Sequence, residues 1–406
     1  MTSNAKERLE SFGEKRIEDV VVGIFGIGAV GNQLLYRLVS AGVRKFVIID
    51  RGVVRASDID GSALFRIGDT GRAKVDVAAE RVRELSVSDE MQIEALCADV
   101  RYEVGSGVFR RLDLVLACLD NDGARLYVDR QCSRFGKPLI SAEVSDFCKR
   151  LSLAYHERTG ICLHCGKSYE DIAQAMRVRE FIDEDYEEDE TDRELLSASE
   201  TVALLQANKA LDYIRGESVD WGTHYTLIGG TFFDTAMQDD EYCVHSHYCT
   251  GAEVVELEDV SVRSMVRELL SAVKRNFNVK STLFIDMSDE RGREYVIDTY
   301  CMYCSRSRIP IGVPKYRFRD DMAICESCRI KPRWKIARSP LARNVYYYSE
   351  EETAADILDT MLENIGIPPL HILRVCDEDE NEYYVELTGD LLSYMPCVKK
   401  NAREEG

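Results

Sequence analysis

Between residues 19 and 155 the chain alternates short apolar runs with longer stretches whose apolar positions recur every three or four residues. "VVVGIF", "KFVIID", "DLVLACLD" and "KPLISAEV" are dense in Val, Ile and Leu without polar alternation, the pattern of parallel strands buried on both faces. "GRAKVDVAAERVREL" and "GARLYVDRQCSRFG" carry helical periodicity, the second ending on a glycine. Strand and helix in turn predict an α/β fold, a doubly wound and mainly parallel Rossmann-like sheet with right-handed crossovers. "RLSLAYHERTGICLHCG" then reads as a strand entering a cysteine knuckle. "SETVALLQANKALDYIRG" is a further helix and "HYTLIGGTFFDTAM" two strands, so the first domain spans 19–250 after a lead of residues 1–18.

The pattern changes afterwards. A helix over 261–277, a hairpin from "STLFIDM" to "EYVIDTYC", a cysteine module over 301–328 and a strand "NVYYYS" follow. A helix "EETAADILDTMLENIG" and strands "HILRV" and "YYVELTG" complete a smaller α+β domain over 255–395, its order compatible with a β-grasp once the module is set aside.

Composition narrows the function classes. A chain of 406 residues, 45% of them hydrophobic, has material for two cores. Its net charge of −20 argues against a nucleic-acid backbone or an anionic membrane as partner. "MTSNAKERLESFGEKR" is too charged for a signal peptide and no apolar run is long enough to span a bilayer, so a cytoplasmic protein is expected. In that reducing setting the 14 cysteines point to metal before disulfides. Eight form pairs: Cys162/Cys165, Cys243/Cys249, Cys301/Cys304 and Cys325/Cys328. "CMYC" and "CESC" have the spacing of a zinc ribbon; the six scattered cysteines suit small core positions. The segment "SRSRIPIGVPKYRFR" inside the module is locally basic, which reads as a solvated loop before it reads as a docking face for an acidic partner.

"GIGAVG" at 26–31 follows the first strand and opens a helix, so its glycines bring backbone N–H groups and a helix N-terminus up to a phosphate. Asp50 closes the next strand, where a carboxylate binds ribose hydroxyls in a dinucleotide or an ATP site alike. Lys74 favours ATP, whose phosphates need cations that a hydride-transfer site does not. Asp120 ends a strand at the sheet's carboxyl edge, suitably placed to hold Mg²⁺. A nicotinamide-dependent dehydrogenase is the distant alternative, because no histidine or tyrosine constellation accompanies the turn.

"GIGAVG", "VIID", "GRAKVDVAAERVREL", "ACLDNDGAR", "ICLHC" and "ETVALLQANKALDYI", in this order and spacing, resemble the ThiF/MoeB-type activating enzymes of ubiquitin-like proteins over residues 20–250. The resemblance implies ATP and Mg²⁺ as cofactors and adenylation of a C-terminal glycine carboxylate on a ubiquitin-like protein or peptide. It implies Gly26, Gly28 and Gly31 around the phosphates, Asp50 on the ribose, Lys74 on phosphate, Asp120 on the metal and Arg125 bracing that loop. It also implies a homodimer or a heterodimer with a related chain, an arginine from the N-terminal lead (Arg8 or Arg16) reaching into a site. "CLHC" matches the first half of the family's structural zinc site, with "CVHSHYC" as the second half and His245 or His247 able to replace a thiolate; two structural Zn²⁺ ions are therefore expected.

Several positions depart from the family pattern. Asp58 and Gly61 stand where members carry an asparagine and an arginine that contact phosphate, and Gly52 stands where a second acid is frequent. Arg51, Arg55, Arg66 and Arg72 are the candidate substitutes. The crossover loop, 169–198, contains the acidic run "DEDYEEDE" and Ser197 but no cysteine, and neither it nor the rest of the chain between Cys165 and Cys243 supplies one. Ser199, just beyond the loop, is a poor unassisted nucleophile like Ser197. Adenylation without a loop thioester is the leading expectation, and a catalytically reduced partner subunit or peptide-binding scaffold is the alternative.

Overall fold

The computed structural model describes residues 16–86, 91–144, 149–155, 160–165, 193–228, 231–238, 253–286, 293–301, 304, 308–319, 322–329, 343–345, 347–349, 351 and 353–389. Arg8, the acidic run, Cys243, Cys249, His245 and His247 lie outside the described residues.

The first domain is built on β1 (Val21–Phe25), α1 (Ala29–Ser40), β2 (Lys45–Ile49), α2 (Lys74–Leu85), β3 (Gln92–Leu96), α3 (Gly107–Arg111), β4 (Leu114–Ala117), α4 (Asp122–Arg134), β5 (Leu139–Val144), β6 (Lys149–Ala154), α5 (Arg193–Ile214), β7 (Thr223–Ile228) and β8 (Thr231–Ala236). Its strands form one eight-stranded sheet in the order β3-β2-β1-β4-β5-β6-β7-β8. The pairs from β3 through β5 are parallel, and β6, β7 and β8 add on antiparallel. The apolar strands lie between two cores, one around Ile24, Leu34, Leu38, Val75 and Val202, the other around Phe25, Phe109, Val115 and Val128. Burial on both faces explains their near-continuous hydrophobic runs. From β1 the chain winds outward to β2 and β3, then returns to place β4 on the other flank of β1. The crevice at the carboxyl ends of β1 and β4 is thus the topological switch point, where open α/β sheets bind ligands.

The C-terminal part comprises β9 (Val254–Ser261), α6 (Val266–Phe277), β10 (Leu283–Asp286), β11 (Tyr295–Tyr300), β12 (Arg308–Pro314), β13 (Arg343–Val345), β14 (Tyr347–Ser349), α7 (Ala355–Leu358), β15 (Ile372–Asp377) and β16 (Glu382–Thr388). Four expectations are corrected here. β10 and β11 do not form a hairpin: β10 sits in a five-stranded sheet of order β14-β10-β15-β16-β9, and β11 in a three-stranded sheet with β12 and β13. "NVYYYS" likewise divides between the two sheets. The long helix is only α7, because Leu362 and Glu363 donate their N–H groups to the Ser264 and Val262 carbonyls instead of continuing the turn. The sheet is also not a β-grasp, since among the described residues β9 lies at its edge, paired parallel to β16 alone. α6 packs Val266, Leu269, Leu270 and Val273 into this domain's own core.

The two parts lock together through residues 99–111. The Glu386 carboxylate, 1% exposed, receives the guanidinium groups of Arg110 and Arg111. Ser106 donates its N–H to His371 Nδ1 and accepts the Ile372 N–H on its hydroxyl. Arg293, buried, donates to the carbonyls of Arg101 and Gly366. Gly105 is required at this junction: a Cβ there would stand 2.0 Å from the Pro369 carbonyl oxygen. No helix among the described residues is long and apolar enough to cross a membrane.

Candidate functional site

The turn after β1 is specified by three glycines with different tasks. Gly26 has φ +93°, in the left-handed region, and a Cβ on it would lie 2.4 Å from the Cys118 carbonyl oxygen. A Cβ on Gly31 would lie 1.9 Å from the Gly26 carbonyl oxygen, so the first turn of α1 presses directly on the loop. At Gly28, which caps α1, a Cβ would meet nothing within 4 Å among the described residues. Two glycines close the turn, and the third faces open space in front of a helix N-terminus, which suits an anion.

Asp50, directly after β2, is turned into this loop. Its Oδ2 accepts the Ile27 N–H at 2.6 Å and its Oδ1 the Gly52 N–H at 2.7 Å. Gly52 leaves room for the Lys74 side chain, whose Cδ and Cε lie 3.7 Å from where a Cβ would stand. Lys74 begins α2 and ends with its Nζ 2.6 Å from Asp58 Oδ1. Asp120, beyond β4, is exposed and makes no hydrogen bond or ion pair among the described residues. Asn121 caps α4 by accepting the Ala124 N–H. Arg125, on α4 and 8% exposed, donates to the Leu119 carbonyl and pairs with Asp122, which holds the Asp120 loop.

The candidate substitute arginines are mostly committed elsewhere. Arg51 pairs with Asp99 at 3.3 Å, Arg66 donates to the Ala63 and Phe65 carbonyls, and Arg72 pairs with Asp69 and Glu80. Arg16 pairs with Glu18 and Asp19. Two residues that sequence reasoning missed shape the loop opposite. Buried Asn32 on α1 accepts the Ala63 N–H and the Ser62 hydroxyl, and Gln33 donates to the Gly61 carbonyl. Their signal was two adjacent amides on the buried side of an otherwise apolar helix face.

Two described thiols, Cys118 and Cys132, are poor nucleophiles. Burial pushes Cys118, beside the turn, up to about 12, and the Gln206 amide only partly offsets it. Burial likewise raises Cys132, with Asp129 adding to the effect. Ser199 on α5 is buried.

Two cysteine clusters suit metal. Cys301, Cys304, Cys325 and Cys328 bring their Sγ atoms within 4.8 Å of one another, with 3.9 Å for both Cys301–Cys328 and Cys304–Cys325. A tetrahedral zinc with ligands at about 2.3 Å spaces its sulfurs by about 3.8 Å, so the set fits a closed structural site. Cys162 and Cys165 sit 3.7 Å apart at Sγ. Buried Asp129 on α4 accepts both the Leu163 N–H and the His164 Nδ1, fastening this knuckle to the first domain. That carboxylate also escaped the sequence reading, because its partners are 34 and 35 residues away.

A family model described as ThiF family matches residues 3–241. The SUMO-activating enzyme subunit 2 of Dictyostelium discoideum is 30% identical over 151 residues, 37% of this chain and 22% of that protein. The adenylyltransferase and sulfurtransferase MOCS3 of Bos taurus is 32% identical over 155 residues, covering 38% and 33% of the two chains. The sulfur carrier protein ThiS adenylyltransferase of Escherichia coli is 29% identical over 153 residues, 38% of this chain and 60% of that one. Each match takes in less than two thirds of the relative. Among solved structures, E. coli MccB with ATP aligns at a TM-score of 0.44 and 16% identity, over 58% of this chain and 68% of that chain.

Proposed function

Since the family match takes in more than half of its residues, the chain belongs to the ThiF family, and we propose that it uses ATP to adenylate the C-terminal carboxylate of a ubiquitin-like protein or peptide. The observation that carries the reading is the open face of Gly28, next to Asp50 and Lys74, at the switch point of the sheet. That two relatives are named adenylyltransferases supports it.

In this reaction a carboxylate oxygen attacks the α-phosphorus, the bond to the β-phosphate oxygen breaks and pyrophosphate leaves, with no proton transferred. The barrier is the approach of one anion to another, so the chain must supply positive potential and fixed geometry. The backbone N–H groups of the glycine turn and the N-terminus of α1 supply the first, and Lys74 the second positive group. Asp120 would hold Mg²⁺, which neutralises phosphate charge. Asp50 would take the ribose, exchanging one of its loop contacts for a hydroxyl. Arg125 keeps the Asp120 loop in place. A Zn²⁺ in the four-cysteine cluster would be structural, and a second at Cys162, Cys165, Cys243 and Cys249 would pin the domain's end.

Product leaves as the adenylate, without a thioester on the crossover loop, since that loop lacks a cysteine and burial suppresses ionisation at Cys118 and Cys132. A dimer, of two copies or with a related chain, would supply the missing arginine. The scaffold reading remains the second one, favoured by Asp58 sitting on Lys74. Pyrophosphate exchange into ATP with a glycine-terminated ubiquitin-like partner decides between them. Exchange is expected, falling about 100-fold or more in Lys74→Ala. Wild-type protein that neither binds ATP–Mg²⁺ nor supports exchange leaves the scaffold reading standing.

A further inference from the structure

Lys74 and Asp58 form an enclosed ion pair, their side chains only 15% and 16% exposed. Asp58 is held at both oxygens: Oδ1 faces Lys74 Nζ at 2.6 Å, and Oδ2 accepts the Arg55 N–H at 2.9 Å, closing a single helical turn. Arg51, Arg66 and Arg72 are engaged with other partners. Gly61 contributes no side chain, and its carbonyl is taken by Gln33. The ammonium offered to a phosphate therefore already carries an anion.

We propose that Asp58 is a resident counter-ion of Lys74 that makes phosphate binding at this site conditional on a divalent cation. The inference rests on the reading that Lys74 faces the phosphates. A metal-free phosphate must take Lys74 from a carboxylate, which exchanges one anion for another on the same ammonium. The displaced carboxylate then stands beside the phosphate in a partly dehydrated pocket, where like charges repel strongly. A divalent cation supplies the charge that this exchange lacks. Asparagine at position 58 still accepts the Arg55 N–H and carries no charge, so it closes the turn and leaves Lys74 to the ligand.

The test compares wild type and Asp58→Asn in calorimetric titrations with inorganic tripolyphosphate in EDTA, then with ATP in EDTA and in Mg²⁺. Asp58→Asn is expected to bind metal-free tripolyphosphate about tenfold more tightly, ~1.4 kcal/mol. The gain from Mg²⁺ in ATP affinity should shrink by a similar factor, which a merely structural role would not produce. Adding Lys74→Ala should abolish the difference. Asp58→Ala, checked by near-ultraviolet circular dichroism, gives the same comparison if the asparagine variant folds poorly. Equal or weaker metal-free binding in both variants, or a gain that survives Lys74→Ala, overturns the proposal. Wild type failing to bind ATP–Mg²⁺ would remove the adenylation reading alone, because the tripolyphosphate comparison still decides the role of Asp58.

Discussion

At the scale of single residues, the glycine turn separates folding from ligand binding. A methyl group on Gly31 collides with the Gly26 carbonyl, whereas one on Gly28 meets nothing within 4 Å among the described residues. Gly31→Ala should cost about 1–3 kcal/mol in urea unfolding, as overpacking does, and lose ATP as well. Gly28→Ala should cost under about 1 kcal/mol, the range of an N-cap change, yet weaken ATP binding by filling the space before the helix. Equal stability losses in the two variants would contradict this division. The positions of the turn, Asp50 and Asp120 were legible because each follows the end of an apolar strand, whereas Lys74 opens α2 after an irregular loop. The Asp58–Lys74 contact was not. Its partners are 16 residues apart across an irregular loop, and no periodicity encodes such a meeting.

Among elements, those of the parallel half were legible for a physical reason: strands buried on both faces write unbroken apolar runs. The C-terminal sheets were read less well, because partner choice between short amphipathic strands is a tertiary matter. β10 pairs with β14 and β15, more than 60 residues on. The β3–α3 segment has its own acid sensitivity. Burial pushes the Asp99 carboxyl up, but Arg101 and then Arg51 outweigh it and hold the group below the usual carboxylate range. Its stabilisation is thus complete above the unfolded value of about 3.9 and is lost as pH falls through the lower folded value. Asp99→Asn should lower the urea midpoint by a constant amount between about pH 5 and 7, and that gap should close on acidification below about pH 4. The cysteine module makes a separate prediction. Cys325→Ser should remove about one zinc per chain by elemental analysis and sensitise the β11–β12–β13 sheet to proteolysis, while the first domain keeps its unfolding transition.

For the molecule as a whole, the ion pairs at the joint between the two parts combine one enclosed carboxylate with two cations that reach water. Glu386 is 1% exposed, whereas the Arg110 and Arg111 side chains are 33% and 45% exposed. Removing either side therefore differs in kind. Glu386→Gln leaves two arginines that water can solvate, and should cost about 1–3 kcal/mol. Replacing both arginines by alanine strands a buried charge and should cost more, about 3–5 kcal/mol. Calorimetric melting of the three proteins orders them; an inverted order would contradict this reading of the joint.

The same joint imposes an order of events while the chain is being made. Arg110 and Arg111 precede Glu386 by 276 and 275 residues. At synthesis rates of about 5–20 residues per second, the first domain waits about 14–55 s for that carboxylate. Until then α3, only five residues long, is held by Val108 and Phe109 in the first domain's core but lacks its ion pairs to Glu386, and Arg101, which grips Asp99 beside Arg51, has no Arg293 beneath its carbonyl. The segment from Asp99 to Arg111, translated early, thus gains its last polar contacts only when the C-terminal part has been made.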